Sequence, residues 1–117
     1  MERIWIKEAT SYLNQNVRLG GWVDTRRDHG KIIFIDLRDR SGIMQVVFDA
    51  SDFKSDFSKV EGVRSEFVLA VRGDIVKRSE ETVNPRLPTG TIEVKVKELK
   101  VLSAAQTVTL QAGDLTG

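Results

Sequence analysis

The segment IIFIDLRDRSGIMQVVFD, residues 32–49, constrains the fold more than any other part of the chain. Two alternating runs, Ile32–Arg38 and Ile43–Asp49, flank Asp39-Arg40-Ser41-Gly42, a set of turn formers. A hairpin closed there sets Ile33 opposite Phe48, Ile35 opposite Val46 and Leu37 opposite Met44, an entirely apolar face. A slip of one residue would send every one of these side chains to the other side of the sheet. The opposite face then carries Ile32, Phe34, Asp36, Arg38, Ile43, Gln45, Val47 and Asp49. Phe34 points away from the core, and Gln45 lies diagonal to it, within side-chain reach.

The flanking sequence extends this hairpin into a small barrel. Arg3–Ile6 reads as an edge strand, and Lys7–Leu13 as a short helix ending at the turn-prone Asn14-Gln15-Asn16. Val17–Arg26 alternates as a strand, and the polar Arg26–Lys31 segment, with Gly30, reads as a loop. After the hairpin, Ser51 is positioned to cap a helix in which Phe53, Phe57 and Val60 share a face and Gly62 is the stop. Phe67–Arg78 is a long strand interrupted by Gly73, residues 79–91 form a long loop with both prolines, and Ile92–Leu102 is the last strand. Its apolar phase shifts between Val96 and Leu99, which predicts a bulge near Glu98. Three meandering strands, a helix and two strands describe an all-β domain with minor α, the five-stranded OB-fold barrel, preceded by a short N-terminal helix. Glycines at 20–21 and at 73 stand where such a barrel must bend. The domain is expected over residues 1–107, with 108–117 a linker or an engineered end.

Composition narrows the chemistry. At 117 residues the chain is one domain's worth, and with no cysteine it has no disulfide, thiolate metal ligand or thiol nucleophile. The single histidine, His29, excludes a His-rich metal site, and no metal ligation is expected. No apolar run approaches the ~18–20 residues of a membrane span, and the first residues lack a signal-peptide core, so a cytoplasmic location and no membrane partner are expected. A net charge of +1 is too small to bind nucleic acid by charge alone. Two mildly basic regions, 18–40 and 72–100, flank an acidic one at 49–66. No glycine-rich phosphate loop and no nucleophile–base pair can be assembled, so no catalytic residue is assigned.

An outward Phe34 beside Gln45 admits two readings: a ring covered by a loop or another domain, or a stacking platform for a base whose edge the amide reads. The outer face of strands 2 and 3 is where OB barrels take oligonucleotides. Arg26, Arg27 and Lys31 lie beside it, in position to hold phosphates, while Arg78 and Glu93 belong to the neighbouring strands 4 and 5. Glu93 is suited to accepting hydrogen bonds from a guanine edge, or is one member of a solvated Glu/Lys row. Trp22 covers a barrel end, Trp5 anchors the first helix, and His29 is a surface histidine. Asp36, Asp39 and Asp49 read as ion-pairing or turn-capping carboxylates rather than acid–base catalysts. The residues by themselves leave open a sequence-specific RNA reader, a sequence-tolerant single-strand binder and a protein-interaction domain.

Three segments in order, RRDHG (26–30), FIDLRDRSG (34–42) and VNPRLPTGTIEV (83–94), within a domain that includes GWVDT at 21–25, resemble the N-terminal anticodon-binding domain of class IIb aminoacyl-tRNA synthetases, and among these the bacterial aspartyl-tRNA synthetases. The resemblance spans about residues 1–107. It implies an OB barrel that binds the anticodon loop of the aspartate tRNA, and no DNA. In that family the phenylalanine matching Phe34 stacks on the central uracil and the glutamine matching Gln45 hydrogen-bonds the same base. The glutamate matching Glu93 is associated with the first anticodon base, and Arg27 and Arg78 match arginines near the anticodon backbone and third base. A histidine at the position of His29 accompanies relatives that also charge the asparagine tRNA. The family's catalytic domain, with its ATP, Mg²⁺ and amino-acid sites, has no counterpart in these residues, so the chain alone is expected to be inactive and cofactor-free. The parent enzyme of such a domain is expected to be a homodimer. Residues 108–117, VTLQAGDLTG, depart from the usual continuation.

Overall fold

A computed structural model describes residues 3–53 and 57–103. Five strands, β1 (Asn16–Asp28), β2 (Ile32–Asp39), β3 (Gly42–Asp49), β4 (Val68–Lys77) and β5 (Ile92–Ser103), close into a barrel in the order β1-β2-β3-β5-β4. The β2–β3 register is the one the alternation requires: Ile33 faces Phe48, Ile35 faces Val46 and Leu37 faces Met44. All six side chains are fully buried, together with Leu19, Val23, Leu69, Ile75 and Val94. Burying each such side chain contributes roughly 1.5–3 kcal/mol, so the pairing of this face carries much of the barrel's stability.

Closure depends on β1 serving two partners. Its first half pairs with β4 and its second with β2, with Trp22 in register with both Val68 and Arg38. A bulge at Asp24 turns the strand between the two sheets. At the barrel corners the backbones approach closely: a Cβ on Gly21 would overlap the Arg38 carbonyl oxygen, and one on Gly73 the Lys95 carbonyl oxygen. The β4–β5 register shifts at Gly73, with Arg72 opposite Glu98 and Gly73 opposite Val96, so Lys97 is the extra residue of the anticipated bulge. β3 and β5 meet in parallel through Val46–Val94 and Val47–Lys95.

Several local expectations are corrected. Arg3–Ile6 forms no strand, only a single parallel bridge from Arg3 to Arg18. Ile6 opens a 3-10 helix, Ile6–Tyr12, rather than an α-helix. The Asp39 carboxylate accepts the Ile6 N–H at 2.9 Å, and Ser41 Oγ accepts the Lys7 N–H at 3.0 Å. These bonds pin the helix start on the β2–β3 turn, where Ile6 and Ala9 are buried. Asn14, at a positive φ of 66°, ends the segment by donating its N–H to Ile75 O at 2.7 Å. Trp5 is no anchor: it is 41% exposed. Ser51 donates its N–H and its hydroxyl to Asp49, and the cap expected of it falls on residues 54–56, outside the described residues. Among the described residues the helix, α1, spans Phe57–Glu61, ending before Gly62 and burying Val60 beside the barrel. The first half of Arg26–Lys31 belongs to β1, leaving 29–31 as the loop. The expected boundary at residue 107 and the segment 108–117 lie outside the described residues.

The 79–91 segment is a folded structure rather than an open loop. It contains a 3-10 turn, Glu80–Thr82, and closes on itself through Asn84 N–H to Gly90 O (2.9 Å) and Gly90 N–H to Leu87 O (3.0 Å). Thr89 is buried and donates its hydroxyl to Ile43 O, fastening the segment to β3.

Candidate nucleic-acid interface

Two registers assemble the outer face. In β1–β2, Thr25 lies opposite Asp36 and Arg27 opposite Phe34. In β2–β3, Asp36 lies opposite Gln45 and Phe34 opposite Val47. The parallel β3–β5 contact then brings Glu93 alongside Gln45. Four strands thus contribute to one strip of polar side chains beside one aromatic ring.

The polar groups are hydrogen-bonded in series. Thr25 donates its hydroxyl to Asp36 Oδ2 at 2.6 Å. Arg27 donates Nη1 to the same oxygen at 3.1 Å and Nη2 to Gln45 Oε1 at 3.0 Å. Gln45 donates Nε2 to Glu93 Oε1 at 2.8 Å. Gln45 is on the outer face as the alternation requires, yet only 4% exposed. Such a buried amide must be paired, because an unmet donor or acceptor there costs about 1–3 kcal/mol. Arg27 and Glu93 supply that pairing.

Phe34 lies at the edge of the strip and is half-buried. The Arg27 guanidinium carbon is 6.0 Å from its ring centre, at the outer limit of a cation–π contact. The exposed His29 meets the ring edge-on, with centroids 5.5 Å apart and planes at 84°. The turn that carries His29 is set by Asp28, which accepts the Gly30 N–H at 2.8 Å and pairs with Arg26 at 3.1 Å. The Gly30 N–H, with Arg26 beside it, holds the Asp28 carboxyl below its ordinary value.

Arg78, expected on strand 4 beside this face, is buried rather than presented on it. It is 8% exposed, just past the end of β4, and donates Nε to Ile92 O at 2.8 Å and Nη1 to Thr82 O at 2.9 Å. Its remaining nitrogen, Nη2, is buried without a protein partner. Burial pushes its pKa down, opposed by the charges of Glu93 and Asp36, so Arg78 sits next to the same strip. It ties the 79–91 segment to β5.

Five of the six sequence-derived residues, Arg27, His29, Phe34, Gln45 and Glu93, therefore meet on one surface, and Arg78 lies beneath its β4–β5 side. Thr25 is a member that the sequence pattern does not mark, and Asp36, an ion-pairing or turn-capping carboxylate by sequence, pairs with Arg27 of β1. Arg38 instead pairs with Asp24 at 3.2 Å. The signal for both was the β1–β2 register, which the bulge at Asp24 determines. Asp39 and Asp49 cap turns, as expected. Lys31 makes no side-chain bond to the strip. Among the described residues no group of three or more His, Asp or Glu side chains is arranged to hold a metal, and no helix is long and apolar enough to cross a membrane.

Comparison with known proteins identifies the family of this barrel. An aspartate–tRNA(Asp/Asn) ligase of Caldanaerobacter subterraneus subsp. tengcongensis is 55% identical over 95 residues, covering 81% of this chain and 16% of that protein. The chain thus spans about a sixth of that relative's length. The crystal structure of asparaginyl-tRNA synthetase from Pyrococcus horikoshii complexed with asparaginyl-adenylate superposes with a TM-score of 0.73 at 31% identity, over 90% of this chain and 23% of that one. The aspartyl-tRNA synthetase of Entamoeba histolytica, at 18% identity, shares the fold with a TM-score of 0.80 over 93% of this chain and 23% of that one. The family model for the tRNA anticodon type of OB-fold nucleic acid binding domain matches residues 17–102, nearly the whole barrel from β1 to β5, and the chain belongs to that family.

Proposed function

We propose that the chain is the anticodon-reading domain of an aspartate–tRNA(Asp/Asn) ligase, acting in the cytoplasm within a homodimeric parent enzyme. The observation that carries this reading is the strip itself: an accessible aromatic ring with a buried, fully oriented amide and a carboxylate beside it. RNA readers use single-stranded loops whose bases splay onto aromatic side chains and are read along their edges. Phe34 takes the central uracil of the anticodon by stacking, Gln45 bonds the edge of that base, and Glu93 accepts from the first base. Arg27 stands near the backbone or third base, and Arg78 holds the 79–91 segment in place beside β5. His29, against the Phe34 ring, is placed to bear on the last anticodon base, at which the aspartate and asparagine tRNAs differ. The small net charge favours readout over sequence-tolerant binding.

Amino-acid activation with ATP and Mg²⁺ belongs to the remainder of the parent enzyme. No chemical step is assigned to the described residues. Their contribution is recognition, delivering the correct tRNA to a catalytic domain.

The test is titration of the 117-residue chain with an aspartate-tRNA anticodon stem-loop at fixed salt, alongside a loop altered at the central base and the Phe34→Ala variant. Stacking contributes ~1–3 kcal/mol per base, so Phe34→Ala should weaken binding by roughly tenfold or more. Equal affinity for both loops would replace this reading with a sequence-tolerant binder, and absence of binding to either would refute it for this chain.

A further inference from the structure

The hydrogen bonds around Gln45 have a direction that the residue types impose. A guanidinium has donors and no acceptor, and an ionised carboxylate has acceptors and no donor. Arg27 can therefore meet only the oxygen of the Gln45 amide, and Glu93 only its nitrogen, as the 3.0 Å and 2.8 Å contacts record. Turning the amide over would set its N–H₂ against the Arg27 donors and its oxygen against the Glu93 carboxylate. At a side chain only 4% exposed, water cannot step in to relieve either contact. Arg27 is held in turn: Asp36 accepts both of its terminal nitrogens, at 3.1 and 3.5 Å, and the Thr25 hydroxyl completes the Asp36 shell at 2.6 Å.

We propose that Arg27 and Glu93, with Asp36 and Thr25 as positioning residues behind Arg27, lock the Gln45 amide in one orientation, and that this lock sets the preference for uracil over cytosine at the central base. The inference rests on the reading of Phe34 and Gln45 as the pair that takes that base. Those two bonds leave the amide one lone pair and one N–H for a ligand. Uracil offers a matching N3–H donor and keto acceptor. Cytosine, stacked in the same pose, offers an acceptor at N3 and an amino donor, and needs the amide reversed. With the amide free to turn, both pyrimidines would be accommodated. With it locked, cytosine leaves two buried groups unmet. Glu93 can hold the amide and still accept from a neighbouring base, since a carboxylate has about four acceptor sites.

The test uses the 117-residue chain and two stem-loops differing only in uracil or cytosine at the central position. The wild type should prefer uracil by at least about tenfold. Glu93→Gln, which lets position 93 donate as well as accept, and Asp36→Asn, which removes the charge that holds Arg27 in place, should each reduce that preference to about threefold or less. Any loss of a Glu93 contact to the first base affects both loops equally and cancels in the ratio, so a purely structural role for Glu93 leaves the ratio unmoved. Phe34→Ala should weaken both loops together. A wild-type preference that survives intact in both variants overturns the lock and leaves the anticodon reading standing. No wild-type preference overturns both. An RNA-free readout needs no variant: the Gln45 side-chain amide protons should exchange with solvent much more slowly than those of the exposed Gln15, and equal exchange overturns the lock.

Discussion

Asp39 offers a test of how the N-terminal segment is attached to the barrel, because its two carboxylate oxygens do different work. Oδ1 accepts the Ser41 N–H at 2.7 Å, the Ser41 hydroxyl at 2.6 Å and the Gly42 N–H at 3.1 Å, which together form the β2–β3 turn. Oδ2 accepts the buried Ile6 N–H at 2.9 Å. Asp39→Asn keeps an oxygen for the turn but sets an N–H₂ group against the Ile6 N–H, leaving two donors face to face. A buried donor without a partner costs about 1–3 kcal/mol. At roughly 3–6 °C per kcal/mol for a domain of this size, the melting temperature should fall by about 3–18 °C. Asp39→Ala removes the turn bonds as well and should cost a further ~1–2 kcal/mol. Urea unfolding of both variants, with hydrogen exchange at Ile6 and Ala9, measures the difference. In Asp39→Asn the exchange at these amides should rise before that of the β2–β3 amides. Equal stability of Asp39→Asn and wild type, or equal losses in the two variants, would refute the division of labour between the oxygens.

Two further outcomes follow from named groups. Asp49, bonded by the Ser51 hydroxyl and N–H, Asp28, bonded by the Gly30 N–H, and Glu98, paired with Arg72, have carboxyl pKa values held below the ordinary range. Carboxylates lowered in the folded state contribute stability fully present above their unfolded values near ~4, and lost as pH falls through the folded values. The urea midpoint should therefore be level with respect to these groups above pH ~5 and fall as the solution is acidified below ~4; a midpoint unchanged into strong acid would contradict this. His29→Leu should shift the relative affinity for asparagine and aspartate anticodon loops toward the aspartate loop by about fivefold, ~1 kcal/mol. An unchanged ratio in paired titrations would remove His29 from discrimination.

What could be read from the chain was local and periodic. The alternation of residues 32–49 and the turn at 39–42 determine which side chains face each other, because a sheet's side-chain period allows no intermediate register. The same parity sent Phe34 and Gln45 outward, and the phase change before Leu99 marked the bulge that the structure places at Lys97. The mixed turn chemistry of 79–91 marked a break between strands, though not that Thr89 would be buried against β3.

Everything that depends on which surfaces meet across the barrel was decided by tertiary structure. The Arg27–Asp36 pairing needs the β1–β2 register, which a bulge at Asp24 resets by one residue and which nothing in the pattern of β1 announces. The Gln45–Glu93 bond needs the parallel β3–β5 closure between residues nearly fifty positions apart. That closure turns an outward amide into a buried one, so a position polar by pattern becomes one that must be paired. Arg78, expected on strand 4 beside the outer face, becomes a buried tie because the folded 79–91 segment presents the Thr82 carbonyl to it. The N-terminal segment has the composition of an edge strand and helix, but the Asp39 carboxylate captures the Ile6 amide and draws it into a 3-10 turn. Sequence parity determined the faces of this barrel; the closing of the sheet determined which polar groups on those faces hold one another in place.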